Sequence, residues 1–397
     1  MRKMLTSIQG LIVLSAMLMA AACGSTSAST PPAATKPVHP VALDIIDAGG
    51  FVSQFGQAMI QDFATANPDQ VSKVTFETRI PATSLPGKLA AQEAAGHVTI
   101  SLVWTGYDGL SSSIQQNLVE QLLPTYNNLY QSSISNYVDS AKQYQTFANG
   151  YGVVVATTPS GPIFEYDPAK VATPPTTIQD LKTWILANPK QFLYAVPANS
   201  GPGRTLLMGL PYLLGDSNPS DPTNGWTNTW QFLKDIKGAT LTNPIKTSET
   251  VNDLANGTVS MIASTFGWDL NPKIQKQLPG NFKTFKLQGT NFVPDAAFVE
   301  VPKGLDSDTD IVVHNLIKYL LSPTAQAHAY DNGYFYPGPA IKGVDLTSAS
   351  SKTQGDVGQY LSSDYASWIT STTVVKPLKP ADLVTAFSLW TSKIGGS

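Results

Sequence analysis

The chain has 397 residues, of which 42% are hydrophobic and only 13% charged, with a formal net charge of −3 and a single cysteine. That apolar fraction supports real cores, and the low charge leaves Ser, Thr, Asn, Gln and Gly to supply the solvated surface. The absence of any basic patch or charge run argues against a nucleic-acid partner, and one cysteine excludes an internal disulfide.

Residues 1–22 read as an export signal. Met1-Arg2-Lys3 is positive, Leu11 to Met19 is apolar, and Ala20-Ala21-Ala22-Cys23 is small. The apolar run falls short of the roughly 20 residues a comfortable membrane span needs. Ala-Ala-Ala-Cys resembles the lipobox of bacterial lipoproteins, although Ala20 stands where leucine is commonest. The resemblance implies lipidation of Cys23 and attachment to the membrane by a lipid anchor. An ordinary signal with a free thiol is the plainer alternative. Residues 23–40, rich in Ser, Thr and Pro, read as a flexible tether. With Arg2 and Lys3 removed from the 25 basic residues, 23 face 28 acidic ones, a net charge of −5.

The roughly 355 residues that follow suit two domains better than one. Val41 to Ile46 reads as a buried strand ending in the turn Asp47-Ala48-Gly49-Gly50. Phe51, Phe55, Met59 and Phe63 then recur every four residues, one face of a helix that Asn67-Pro68 stops. Lys73 to Arg79 alternates like a strand, Ser84 to Ala95 is helical, and Val98 to Trp104 is a strand. Thr105 to Gly109 is expected as a loop and Ser112 to Leu123 as a helix. Strands and helices alternating at this spacing predict a largely parallel sheet covered on both faces.

Tyr151 to Val155 reads as a strand crossing into a second lobe, where a new α/β series starts. Its elements are a helix over Thr177–Leu186, a strand over Phe192–Val196 and a helix from about Arg204. A helix over Trp226–Ile236 and a strand over Thr258–Ile262 follow. Asp295 to Val301 reads as a returning strand, Asp310 to Leu321 as a helix, and Thr324 to Tyr330 as its continuation past Ser322-Pro323. Beyond Pro337 the chain reads as polar and loose until a last helix near Pro380 to Lys393.

Several stretches taken together resemble the extracellular solute-binding proteins of ABC importers. These are Tyr151-Gly152-Val153-Val154-Val155 with Phe164-Glu165-Tyr166-Asp167, Pro175 to Leu181, Asn256 to Met261, and Leu321-Ser322-Pro323-Thr324-Ala325-Gln326. The chain looks closest to the family 1, spermidine/putrescine-like branch. The resemblance covers nearly all of residues 41–397 and implies an α/β, two-lobed type II periplasmic-binding-protein fold. Two Rossmann-like lobes are then joined by crossing strands, with a small-molecule solute between them. Lobe I is expected at 41–150 and 291–345, and lobe II at 151–290 and 346–397. The implied partners are the permease subunits of an importer, the implied location is extracytoplasmic at the cell membrane, and a monomer without cofactor is expected.

In open α/β sheets, ligands sit at the carboxyl ends of strands, where strand order reverses. That rule selects four loops. Asp47, Gly49, Gly50 and Phe51 offer close backbone approach and free helix-start N–H groups. Trp104, Thr105 and Tyr107 offer aromatics for a flat or cationic solute. Ser200, Gly201, Gly203, Arg204 and Thr205 combine backbone donors with an arginine fork. Thr265, Trp268 and Asp269 offer a wall and a carboxylate. Tyr334 and Tyr336 fall near the junction. The acids suit an amine and Arg204 an anionic end, so a small polar organic solute, possessing one or both charge types, fits better than a simple polyamine. For Trp104 and Arg204 the alternatives are a core position and a structural ion pair.

An exported hydrolase is disfavoured. There is no Gly-x-Ser-x-Gly, no His-Glu-x-x-His and no P-loop, and the four histidines, His39, His97, His314 and His328, are scattered, with no Cys/His set for zinc. A surface receptor without a transport role stays open.

Overall fold

The computed structural model describes residues 36–78 and 80–395. The expected export signal, Cys23 and the expected tether through residue 35 lie outside the described residues.

Strand β1 (Val41–Ala48) runs straight into a helical segment whose first turns, Val52–Gly56, are wound as a π-helix before α1 (Gln57–Ala66). The four-residue aromatic spacing is realised: Phe51, Phe55, Met59 and Phe63 are buried on one face. β2 (Val71–Glu77), α2 (Leu85–Ala94) and β3 (Ile100–Gly106) follow. Helix α3 (Tyr107–Gln115) starts directly at the end of β3, which corrects the expected loop and the expected 112–123 helix. Asn117 adopts a left-handed conformation (φ 59°), ending the helix, and Leu118, Val119 and Leu122 are buried as extended chain instead. α4 (Asn127–Ser135) and α5 (Asp139–Phe147) had no legible apolar period.

β4 (Gly152–Gly161) and β5 (Ile163–Tyr166) form one near-continuous run that changes sheets at Pro162. α6 (Ile178–Ala187) opens on Thr177, whose hydroxyl accepts from the Asp180 N–H while the Asp180 carboxylate accepts from the Thr177 N–H. β6 (Phe192–Leu193), α7 (Gly201–Leu213), α8 (Thr227–Lys237) and α9 (Thr247–Ala255) lead to β7 (Met261–Ser264). A short α10 (Asn271–Ile274) and β8 (Lys283–Phe285) precede the returning strand β9 (Val293–Glu300). α11 (Ser307–Leu320) is capped by the Asp306 carboxylate, α12 (Pro323–Ala327) by the Ser322 hydroxyl, and β10 (Gly338–Pro339) follows.

The region expected to be loose holds α13 (Ser351–Tyr360) and α14 (Tyr365–Ser371) before α15 (Pro380–Trp390). α13 buries Thr353 and Val357, and α14 buries Tyr365, too few apolar anchors to leave a readable period.

One sheet has the order β10-β4-β9-β3-β1-β2, the other β6-β7-β5-β8. The parallel expectation holds only for β1 with β2 and β3 and for β6 with β7. β9 runs antiparallel to β3 and β4, because it returns along the crossing strand instead of entering through a helical crossover. Every residue of β3 and β9 is buried, as in strands covered on both faces. This is an α/β molecule of two sheets joined by crossing strands.

Trp104 on β3 is wholly buried, edge-on to Phe55 at 5.7 Å, and a Cβ at Gly56 would stand 3.1 Å from its ring. Trp104→Ala should therefore cost about 3–5 kcal/mol in a urea titration through the cavity it leaves. Glu300, at the end of β9, is fully buried and accepts from the Ser113 hydroxyl at 2.8 Å. Burial pushes its carboxyl from 4.5 up to about 8. The folded chain thus holds a proton that the unfolded chain releases, so stability falls as pH rises from 4.5 through about 8. Glu300→Gln should flatten that fall, measured as urea midpoints between pH 5 and 9.

Candidate functional site

The loop after β1 is organised by Asp47. Its buried carboxylate accepts from the N–H groups of Gly49 at 3.2 Å and Ser53 at 3.3 Å, tying the strand end to the helix start. Burial raises its pKa against those backbone bonds. Gly50 is left-handed (φ 80°), and a Cβ there would stand 3.0 Å from the Tyr334 hydroxyl. That hydroxyl donates to the Gly49 carbonyl at 2.8 Å. Phe51 packs edge-on against Tyr334 and Phe335.

At the end of β3, Trp104 and Thr105 point to opposite sheet faces, as strand alternation demands. Trp104 meets Phe55, and Thr105 lies under Gly109. Tyr107 is buried against Tyr144. These three residues occupy the core in this conformation. Asp108, one residue further on, reaches the junction.

The third loop gives α7 its start. The Ser200 hydroxyl accepts from the Gly203 N–H at 3.1 Å, and a Cβ at Gly203 would collide with the Ala195 carbonyl at 2.3 Å. Gly201 faces the Asp295 carboxylate, and the Thr205 hydroxyl pairs with that of Ser160 at 3.1 Å. Arg204, 6% exposed, donates to Asp295 at 2.5 Å and stands 3.4 Å from Asp108. Burial opposes its charge, but the two carboxylates outweigh burial and hold its pKa above the usual arginine value. The guanidinium thus ties α7 to α3 and to β9.

In the fourth loop Thr265 is buried, and Gly267 (φ 96°) lies so close under the Tyr334 carbonyl that a Cβ would come within 2.0 Å of it. Trp268 is half-buried with its ring 5.4 Å from that of Tyr334. Asp269 accepts from the Tyr365 hydroxyl and from the Gly267 N–H, so both its oxygens are engaged. It is buried, and burial raises its pKa against the attraction of Lys273.

The four loops therefore meet in two pairs. Asp108 and Arg204 join the second and third, and Tyr334 joins the first and fourth. Two participants went unselected. Asp295 is an acid inside the apolar run Phe292 to Val299, and that misfit was its signal. Asn271 donates to the Gln54 side chain at 2.9 Å and to the Asn332 carbonyl at 3.0 Å, and nothing in the sequence marked it. Beside this contact lies a polar cavity of about 360 Å³, lined among others by Ser53, Gln54, Asn332, Lys352, Thr353 and Asp356.

Residues 58–357 match the family model described as bacterial extracellular solute-binding protein. The chain belongs to that family. It is a solute-binding protein, not an enzyme, of a family that works outside the cytoplasm. No curated protein matches it by sequence. Among solved structures it is similar to a periplasmic thiamin binding protein, at 13% identity and TM-score 0.62, over 91% of this chain and 99% of that one. It is also similar to the periplasmic binding protein AfuA from Actinobacillus pleuropneumoniae with bound fructose-6-phosphate, at 12% identity and TM-score 0.64, over 90% and 99%. A third is the spermidine/putrescine substrate-binding protein PotD from Streptococcus pneumoniae, at 14% identity and TM-score 0.55, over 88% and 99%. At these identities the likeness fixes the two-lobed type II fold of this solute-binding protein.

Replacing Arg204 by Met should leave Asp295 and Asp108 without their cation in a dry setting. A loss of about 3–5 kcal/mol is expected by chemical denaturation, larger than for any exposed ion pair such as Lys36 with Asp69.

Proposed function

We propose that this protein captures a small polar organic solute bearing an amine, polyamine-like or zwitterionic, between its lobes and delivers it to the permease of an ABC importer. One observation carries the choice of solute. Arg204, the cation among the selected residues, is already matched by two carboxylates, so the group Asp108–Arg204–Asp295 has an excess negative charge. A cationic head complements that excess, and the half-buried Trp268 beside Tyr334 supplies the aromatic face that an ammonium group favours. The selected residues of all four loops, from Asp47 and Gly49 to Trp268 and Asp269, are assigned here to the solute site or to its immediate support.

Cys23 is proposed as the lipidated residue, which keeps the protein on its tether at the extracytoplasmic face of the cell membrane. Cys23→Ser should release the chain into the medium, seen by fractionating cells and blotting both fractions.

A thermal-shift screen of the mature chain tests the solute class. Spermidine, putrescine, basic amino acids and thiamine form one arm, and fructose-6-phosphate and simple carboxylates the other. A cationic solute at a hundredfold excess over its Kd should stabilise the fold by about 2.7 kcal/mol. Asp108→Asn and Trp268→Ala should weaken that binding at least tenfold, while Thr353→Val, in the neighbouring polar cavity, leaves it unchanged. Stabilisation by the anions alone, or full affinity in both site variants, overturns the reading.

A further inference from the structure

A second cluster of chemistry-bearing groups lies in the β1–β4 half of the molecule, formed by none of the four loops. Asp310 and His314 sit four residues apart on α11 and so share one face. Glu120 comes to them from the extended segment after α3, held by its own N–H on the Val301 carbonyl at 2.8 Å. One carboxylate oxygen of Glu120, one of Asp310 and a ring nitrogen of His314 all lie within 4.8 Å of one another.

The imidazole is held like a metal ligand. His314 is 1% exposed, the Tyr126 ring stacks on it at 3.6 Å, and its Nδ1 is hydrogen-bonded to the Tyr130 hydroxyl. Nε2 and the Asp310 Oδ1 are both buried and stand 3.2 Å apart, within ion-pair range if the ring is protonated, but neither makes a hydrogen bond. His328 provides the contrast. Its Nδ1 meets Asp331 at 2.7 Å and its Nε2 meets Asp62 at 3.0 Å, so both nitrogens are satisfied. A proton on Nε2 would pair these two atoms alone, whereas a cation would also engage the Glu120 carboxylate, which lies within 4.8 Å of both.

We propose that Glu120, Asp310 and His314 bind a divalent first-row transition ion of the zinc or manganese type. One imidazole and two carboxylates suit such an ion better than calcium or magnesium, which take oxygen ligands throughout. Ligand bonds of about 2.1 Å in tetrahedral geometry set the donor atoms about 3.4 Å apart, so Nε2 and the Asp310 oxygen, 3.2 Å apart, open slightly and the Glu120 carboxylate adjusts to them. In the bound form Nδ1–H donates to the Tyr130 oxygen, which fixes the tautomer and turns the Nε2 lone pair to the ion. The half-buried Glu120 and Asp310 give access from solvent. The ion would pin the 116–126 segment to α11 and take no part in solute capture.

The mature chain, stripped with EDTA and dialysed against ZnCl2 or MnCl2, tests this by metal analysis, calorimetry and thermal shift. One ion per chain and a raised melting temperature are expected, as are visible absorption bands after CoCl2 loading. Glu120→Gln, at a half-exposed position where folding is secure, should weaken binding at least tenfold. His314→Gln should abolish it, and His328→Ala should leave it unchanged. The proposal is overturned if the folded wild type retains no ion, if Glu120→Gln binds like wild type, or if His328→Ala removes the ion. None of these readouts depends on which solute the protein carries.

Discussion

The buried guanidinium of Arg204 ties the junction together. Arg204 carries its charge into a site that is almost fully dry, a transfer costing several kcal/mol, and it is tolerable only because Asp295 and Asp108 meet the guanidinium. The partners come from distant parts of the chain: a helix beginning at the end of β3, and the strand that returns from the second sheet. The planar fork of arginine can address two carboxylates in different directions, which a lysine could not do as well. The close packing around it follows. Gly203 lets α7 press against the Ala195 carbonyl, and Gly201 stands beside the Asp295 carboxylate.

The two crossing strands provide the frame on which that pairing is built. β4 and β9 run side by side through the first sheet, and Asp295 lies where β9 enters it from the junction. The charge that fixes Arg204 is therefore placed by backbone hydrogen bonds. The same frame accounts for the fold shared with periplasmic binding proteins at 12–14% identity, since it requires only apolar strands and glycine-permitted turns.

Much of this was legible in the residues. Period-four aromatics marked the first helix, Thr177 with Asp180 marked the start of α6, and the glycines at 49–50 and 201–203 marked strand-to-helix turns. Three things were hidden. The helix from Tyr107 follows its strand without a break, so no turn chemistry separates them. α13 and α14 bury too little to show a period. The partners of Arg204 lie 96 residues before it and 91 after it, and spacing along a chain carries no information about such contacts. Trp104 and Tyr107 were selected because they close a strand, and the sequence carried no sign of their packing on Phe55 and Tyr144.

Tyr334 has a consequence of its own. Its hydroxyl is fastened to the Gly49 carbonyl, while its main-chain oxygen rests directly over Gly267. One side chain and its own peptide therefore tie the turn after β1 to the loop after β7. If the crevice proposed between the lobes has to open to admit a solute, this fastening sets the resting ratio of shut to open molecules. The apparent affinity for any guest scales with the fraction that is competent to receive it. The strength of this one fastening, together with the chemistry of the contact surface, would then decide how dilute a solute the protein can collect.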